Sequence, residues 1–597
     1  MSADFLAQQR RRRDKLQLSC NICRKRKVRC DRNQPCKNCV ARGEHAHCSY
    51  ATIPIANSHR LNSVRSQLGL SDTLAQEKDT TSSDNAPSIA SSVGRIQVTG
   101  NETNYVGGEH WAVLADTQSS RWPDLLLGLR EGSTVKQLLA SVPPKAEVDR
   151  LISKYFNSLD LAAWVSHGPI FEEEYERFWK DPSTASLNWL SMLFSMLCLA
   201  TELMLQSGQS LPANEGKAQE NVILYRRCSA QCLMLSDYTK PTTYTVEALV
   251  LYFYSEYLRC EDTHFGLDVV LATIVRVAMR MGYHRDPSHY PNISIFVGEM
   301  RRRLWAIVIQ LDILVSLQIG LPRMINERDC DTQSPRNVLP EEMDPDMTVL
   351  PPSRPESAGA VVTYIRAKTR MVIALGRIHG HVTSVQPSPY ETVVQLHEML
   401  CAQHEALPTC LKMRDSAPVT DSPTVVMRRL CLDLLFQRSR CLLHRRYMRP
   451  QNRLSWETCL DAALAITRHQ SYVYRETQPG GLFVGQLWKL THMATYDFLL
   501  ASMLLCLGLR HGSASKTCST SGRRIEVLSA LEEALSIWVK WCTEGKRSRR
   551  VLDITLKRRP VILRLPYQHP MQLKLKQRTT QGSLPPLYLT QWNILTG

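Results

Sequence analysis

Residues 20–48 read CNICRKRKVRCDRNQPCKNCVARGEHAHC, with cysteines at Cys20, Cys23, Cys30, Cys36, Cys39 and Cys48. Each of the two Cys-x2-Cys pairs is followed by a lone cysteine at a loop's distance, which makes two similar half-motifs. A tight turn between paired cysteines brings both sulfurs within roughly 4 Å of each other, close enough to clamp one metal through bonds of about 2.3 Å. Six sulfurs cannot supply four private ligands to each of two zinc ions. Two of them must bridge, so the count points to a binuclear Zn2Cys6 cluster.

The gaps between these cysteines hold Arg, Lys, Asn and Gln rather than apolar residues. Arg24-Lys25-Arg26-Lys27-Val28-Arg29 lies between the second and third cysteines, and Pro35 precedes the fourth. With this basic run in place, the stretch resembles the zinc-cluster DNA-binding domain of fungal transcription factors. The resemblance implies that Cys20 and Cys36 bridge two Zn2+ ions, that Cys23 and Cys30 complete one site, and that Cys39 and Cys48 complete the other. It also implies a short helix and an extended strand in each half, with Pro35 turning the loop between them. Arg26 and Lys27 would take the base-reading positions for a CGG-type triplet, and Arg24 and Arg29 would face phosphates. Arg and Lys suit both tasks, because each can pair with guanine O6 and N7 in the major groove.

Working outward, the net charge of +17 is unevenly placed. Residues 1–50 carry a surplus of nine positive charges and residues 545–597 a surplus of ten, leaving the long middle close to neutral. DNA affinity is therefore expected in the first fifty residues. The arm at 1–19, with Arg10-Arg11-Arg12-Arg13 and Lys15, reads as a nuclear-import signal or a phosphate contact. A nuclear chain keeps its thiols reduced, so the other thirteen cysteines, Cys228 and Cys232 among them, read as small core hydrophobes. The longest apolar run, Trp189 to Ala200, is too short for a membrane span, and no membrane partner is expected.

Residues 49–104 are rich in Ser, Thr, Asn and Gln and read as a disordered linker. Only Leu61, Val64 and Leu68 fit an a/d pattern before Gly69, about one heptad, which does not support a dimerising coiled coil. From about residue 105 apolar residues recur at helical spacing, as in Leu271, Ile274, Val275 and Ala278, or Met300, Leu304, Ile307, Leu311 and Leu314. Prolines at 143–144, 241, 287, 351–352 and 423 punctuate these segments. The expected fold is mainly α: a small N-terminal zinc-cluster module at 20–48, a disordered linker, and a large irregular all-helical regulatory domain.

That body resembles the fungal-specific transcription factor domain, or middle homology region. The likeness rests on Ser166-His167-Gly168-Pro169-Ile170-Phe171, on Ala278 to Asp286 (AMRMGYHRD), on Met300-Arg301-Arg302-Arg303-Leu304-Trp305, on Gly320-Leu321-Pro322-Arg323 and on Asp329-Cys330-Asp331. It covers 105–340, with a helical C-terminal part of the same body at 341–544 and a division of the body near the Pro-rich loop at 338–357. The tail at 545–597 has no acid after Asp553 and reads as a basic, disordered extension; a second nucleic-acid contact is the rival reading.

The function that follows is zinc-dependent, sequence-specific regulation of RNA polymerase II genes, extending by resemblance to a metabolic or secondary-metabolite gene set. Double-stranded DNA is the expected partner, together with a homodimer and a small effector or co-regulator. An enzyme is the first rival. His284-Arg285-Asp286 matches part of a kinase catalytic loop, but Pro291 stands where the required Asn would be. Phosphate-binding Gly-rich loops and nucleophile elbows are missing, and His110, His397 and His492 read as ordinary core or surface groups. The second rival is a zinc-dependent protein-interaction or RNA-binding scaffold. Base-stacking aromatics are absent between Cys20 and Cys48, which speaks against single-stranded RNA.

Overall fold

A computed structural model describes Cys20, Ile22, Cys23, Arg26, Val28, Cys30, Asp31, residues 36–43 and Cys48, then 95–99 and 102–106. It further describes residues 132–543 apart from 161, 208–214, 260–264, 357–360, 387, 415–419, 450, 487 and 515–520. The arm at 1–19 and the tail at 545–597 lie outside these residues. The chain divides into two units, 1–85 and 86–597.

In the first unit the helix α1 spans Lys37–Val40. The buried side chains of this unit, among the described residues, are Cys20, Cys23, Cys36, Cys39 and Cys48, with Ile22 and Cys30 half-buried against them. Among these residues the centre is sulfur.

The second unit opens with β1 (Arg95–Thr99) and β2 (Glu102–Val106), an antiparallel pair with Ile96 opposite Tyr105 and Val98 opposite Thr103. Residues 95–99 and 102–104 fall at the end of the stretch expected as a linker, and β2 runs past its boundary at 104. Ile96, Val98 and Thr103 are β-branched, a residue type that suits strands.

Helices follow from Val135 onward. They are α2 (Val135–Ala140), α3 (Lys145–Ser158), α4 (Ala162–Val165), α5 (Gly168–Lys180), α6 (Leu187–Gln206), α7 (Glu215–Leu235), α8 (Thr245–Arg259), α9 (Phe265–Arg280) and α10 (Ile295–Ile319). After the loop come α11 (Val361–Val382), α12 (Tyr390–Glu405), α13 (Pro423–His444), α14 (Arg453–Glu476), α15 (Trp488–Ala514) and α16 (Ser521–Thr543). Local chemistry sets their starts. Thr134 and Gln137 form a capping box for α2, while Ser186, Ser294 and Ser422 accept N–H bonds at the heads of α6, α10 and α13. Pro423, counted among the loop prolines, is the first residue of α13, where its missing N–H is no loss. Gly320 ends α10 in the left-handed region at φ +73°.

Helix α6 is apolar nearly all round and lies buried against α3, α7 and α8. Its 20 residues are long and apolar enough to cross a membrane, longer than the Trp189–Ala200 run alone, but most of that length is covered by protein. Packing then passes from α8 to α9, α10, α11, α13 and α14, with α15 and α16 closing on α14. One hydrophobic core runs from Leu138 to Trp541 through all of these helices. It includes Leu271, Ile274, Val275 and Ala278 of α9, Leu304, Ile307, Leu311 and Leu314 of α10, and the buried Cys228 and Cys232 of α7.

The expected division near 338–357 is not a division of this core, because α10 and α11 pack directly across it. The loop is itself held down. Arg336 Nη1 donates to the carbonyls of Leu350 and Pro351, both at 3.2 Å, and Asn337 Nδ2 donates to the carbonyl of Arg354 at 2.9 Å.

Candidate metal centre and nucleic-acid interface

The two half-motifs fold alike at their first cysteines. Ile22 and Cys23 are helical; Arg26 N–H donates to the Ile22 carbonyl and Val28 N–H to that of Cys23, both at 3.0 Å. In the second half, Cys39 N–H and Val40 N–H both donate to the Cys36 carbonyl at 3.0 Å. Asp31 caps α1 from the preceding loop, its carboxylate oxygens accepting Lys37 N–H at 3.1 and 3.3 Å. Asp31 was not singled out from sequence, although an acid just after Cys30, near the head of the second half, is a readable capping signal.

This scaffold brings together the sulfurs of Cys20, Cys23, Cys36 and Cys39, all within 4.8 Å of one another. Cys20 Sγ lies 3.8 Å from Cys36 Sγ and 3.8 Å from Cys39 Sγ, while Cys36 Sγ lies 3.6 Å from Cys23 Sγ. Four sulfurs at 2.3 Å from a tetrahedral zinc stand about 3.8 Å apart. The observed separations therefore match the edge of a ZnS4 tetrahedron, and the donor set fits zinc. Each of these three contacts joins a cysteine of the first half-motif to one of the second. Cys30 Sγ groups with Cys36 and Asp31 within the same limit, and Cys48 Sγ accepts Cys36 N–H at 3.3 Å.

Cys20, Cys23 and Cys39 differ in how readily they lose a proton. The backbone N–H of Cys23, 3.4 Å from Cys20 Sγ, draws the Cys20 pKa down to about 6. Removal from water, then the neighbouring sulfurs, push Cys23 up to about 12 and Cys39 higher still. A divalent ion held by these sulfurs would displace the protons that remain.

Of the basic run, Arg26 is described and exposed on the turn that carries Cys23. Arg24, Lys27 and Arg29 lie outside the described residues.

The motifs of the helical body also gain a physical meaning. Asp286 is buried and receives Arg302 Nε and Nη2, together with the N–H groups of Ser288 and Gln333. Asp331 accepts Asp286 N–H at 2.8 Å and pairs with Arg285 at 2.9 Å. Buried Glu299 accepts Arg336 N–H at 3.0 Å, and Arg303 Nη2 donates to the Val338 carbonyl at 2.8 Å. His167 Nε2 lies 2.9 Å from the Pro340 carbonyl. These residues tie α5, α9 and α10 to the 331–343 segment.

Comparison with known proteins agrees with this geometry. Residues 18–57 match the fungal Zn(2)-Cys(6) binuclear cluster domain, which binds two zinc ions. Residues 152–399 match the fungal specific transcription factor domain, a span that begins and ends later than the motif-based 105–340. The chain is 35% identical to the Zn(2)-C6 fungal-type transcription factor mpsB of Macrophomina phaseolina, over 88% of this chain and 80% of that protein. It is 33% identical to the Zn(2)-C6 fungal-type transcription factor pigI of Monascus ruber, over 91% and 79% respectively. It is 31% identical to the Fusarisetin A cluster transcription factor fsa6 of a Fusarium species, over 91% and 83%. A sulfur cluster with zinc geometry, a basic helical turn and a matching helical body thus coincide in one chain, which belongs to the fungal Zn(2)-C6 transcription factors, regulators that act by binding DNA.

Proposed function

We propose that this chain reads CGG-type triplets in duplex DNA through Arg26 and Lys27, with Arg24 and Arg29 on phosphates, and controls a secondary-metabolite gene set from the nucleus. Two Zn2+ ions are held by Cys20 and Cys36 in common, by Cys23 and Cys30 on one side, and by Cys39 and Cys48 on the other. Zinc acts here as a structural clamp, not a reagent. The observation that carries the reading is the turn at Ile22 and Cys23, whose Ile22 carbonyl accepts the N–H of exposed Arg26 next to the sulfur cluster. Family names that mention metabolite clusters, as for the fusarisetin A relative, support the choice of target genes. A triplet holds too little information to mark a promoter against genomic competition, so two subunits bind together and read two half-sites at fixed spacing. The helical body has no catalytic task in this reading; His284, Arg285 and Asp286 belong to a structural segment, and the body takes the effector or co-regulator.

Selection of random duplexes by the full-length, zinc-loaded protein tests the assignment, with Cys23→Ala as control. Enrichment of paired CGG triplets, lost in the control, is expected. Enrichment of an unrelated sequence, or of RNA over duplex DNA in competition, would overturn it.

A further inference from the structure

Cys401 sits half-buried on α12, one turn after His397, with its Sγ 3.5 Å from His397 Nε2. His397 Nδ1 is 2.9 Å from His444 Nε2 on α13, and His444 Nδ1 is 3.0 Å from Ser455 Oγ on α14. Ser455 Oγ is 2.8 Å from Tyr390 OH, which lies 2.9 Å from Asn452 Oδ1. Side chains from three helices thus make one hydrogen-bonded line that ends on a thiol.

The proton positions follow from the far end of the line. Ser455 backbone N–H donates to Asn452 Oδ1 at 3.4 Å, so the amide oxygen, not the NH2, faces Tyr390. The one O–H of Tyr390 is committed to Asn452, and its oxygen accepts from Ser455. The one O–H of Ser455 is committed to Tyr390, so His444 Nδ1 carries a hydrogen and donates to Ser455. His444 is fully buried, and burial, with His397 and Arg440 nearby, pushes its pKa down to about 3. The ring is neutral and its Nε2 is bare. His397 Nδ1 therefore holds the next hydrogen. Burial, then Arg440, also lowers His397, against a weaker pull from Glu398. A neutral His397 turns the lone pair of Nε2 toward the Cys401 thiol.

This arrangement sets Cys401 apart from comparable thiols. Cys330 Sγ donates to the Asn326 carbonyl at 3.4 Å and Cys410 Sγ to the Glu356 carbonyl at 3.7 Å, both half-buried. A peptide carbonyl cannot take up a proton at neutral pH; an imidazole can. Burial keeps the Cys401 thiol protonated, so its reactivity depends on such a base, while the Arg440 charge favours the thiolate as it forms.

We propose that Cys401 is a modification site for soft, uncharged electrophiles of the α,β-unsaturated carbonyl class, with His397 as its base. The sulfur lone pair forms an S–C bond to the β-carbon as the thiol proton passes to His397 Nε2. The π electrons of the C=C bond move to the α-carbon as an enolate, which recovers that proton from His397. The net reaction is an addition and consumes no oxidant or reductant.

The test is peptide-resolved mass spectrometry of the full-length, zinc-loaded protein during labelling with substoichiometric N-ethylmaleimide at neutral pH. Cys401 should label about tenfold faster than Cys330 and Cys410, a fraction of the roughly hundredfold or more that general-base assistance usually supplies. His397→Gln should bring it within about twofold of them. Tyr390→Phe, which removes the O–H that orders the line, should slow it several-fold. The rate at Cys330 should climb more steeply with pH than that of Cys401, because it depends on pre-formed thiolate. Equal rates at the three thiols of the wild type, or an unchanged rate in His397→Gln, would overturn the proposal. A disordered variant betrays itself by labelling at buried Cys232 and Cys441, and the wild-type rate ratio and pH profile then decide.

Discussion

Arg302 clasps Asp286 with two parallel hydrogen bonds, Nε to Oδ2 at 2.9 Å and Nη2 to Oδ1 at 2.7 Å. The carboxylate is nearly sealed from water and the guanidinium largely so. Removing one partner leaves an uncompensated buried charge, which typically destabilises by about 3–5 kcal/mol. Arg302→Met should therefore lower the urea midpoint of the helical body by that equivalent. A double change of Asp286→Leu with Arg302→Met should recover part of the loss.

The same carboxylate sets an acid limit. Burial opposes its ionisation, yet Arg302 and the N–H groups of Ser288 and Gln333 together hold its pKa well below the ordinary range. A depressed folded pKa contributes stability that is complete above the unfolded value of about 3.9 and is lost as pH falls below it. Wild-type stability should fall more steeply than that of Asp286→Asn between about pH 4 and 2, as measured by urea titration at each pH.

The metal assignment separates shared from private sulfurs. Cys20→Ala removes a sulfur common to both sites, and elemental analysis should show both zinc ions lost. Cys30→Ala should retain one ion, with weaker DNA binding. Chelation should collapse the first unit while the thermal unfolding of the helical body stays unchanged.

DNA contacts should divide by kind. Lys27→Ala should weaken binding to a CGG site by about 1–3 kcal/mol and relax preference at one base pair. Arg24→Ala should weaken all duplexes alike and reduce the salt slope by about one. Titrations at several salt concentrations distinguish the two.

Helices α10 and α11 approach closely at Gly376, where an added Cβ would stand 2.8 Å from Ile313 Cδ1 and 3.2 Å from Arg323 Nη1. Gly376→Ala should destabilise the body by about 1–3 kcal/mol, the usual range for overpacking. Thermal unfolding checks this.

The zinc centre was legible in the sequence because its ligands are local: Cys20 to Cys48 span one short stretch, and spacing alone counts the metals. Helices α9 and α10 were legible through their 3.6-residue period. The roles of Asp286 and Arg302 were not, since an ion pair depends on how a loop folds back on a helix. His397 looked ordinary for the same reason; its partner His444 is 47 residues away. The β1–β2 pair was missed because polar residues dominate its neighbourhood, although Ile96, Val98 and Thr103 carry the signal.

A centre built from sulfur has a consequence for the cell. With sulfur in place of hydrocarbon among its described buried residues, the first unit takes its folding energy from the ion, on the order of 10–16 kcal/mol for comparable peptides, whereas the body has a core of its own. Zinc shortage would therefore strip the chain of its reading head and leave the rest intact. Where subunits pair, each starved chain would occupy a partner without contributing a half-site, so output would fall faster than the zinc-loaded fraction. Metal supply would then act as a multiplier on transcription.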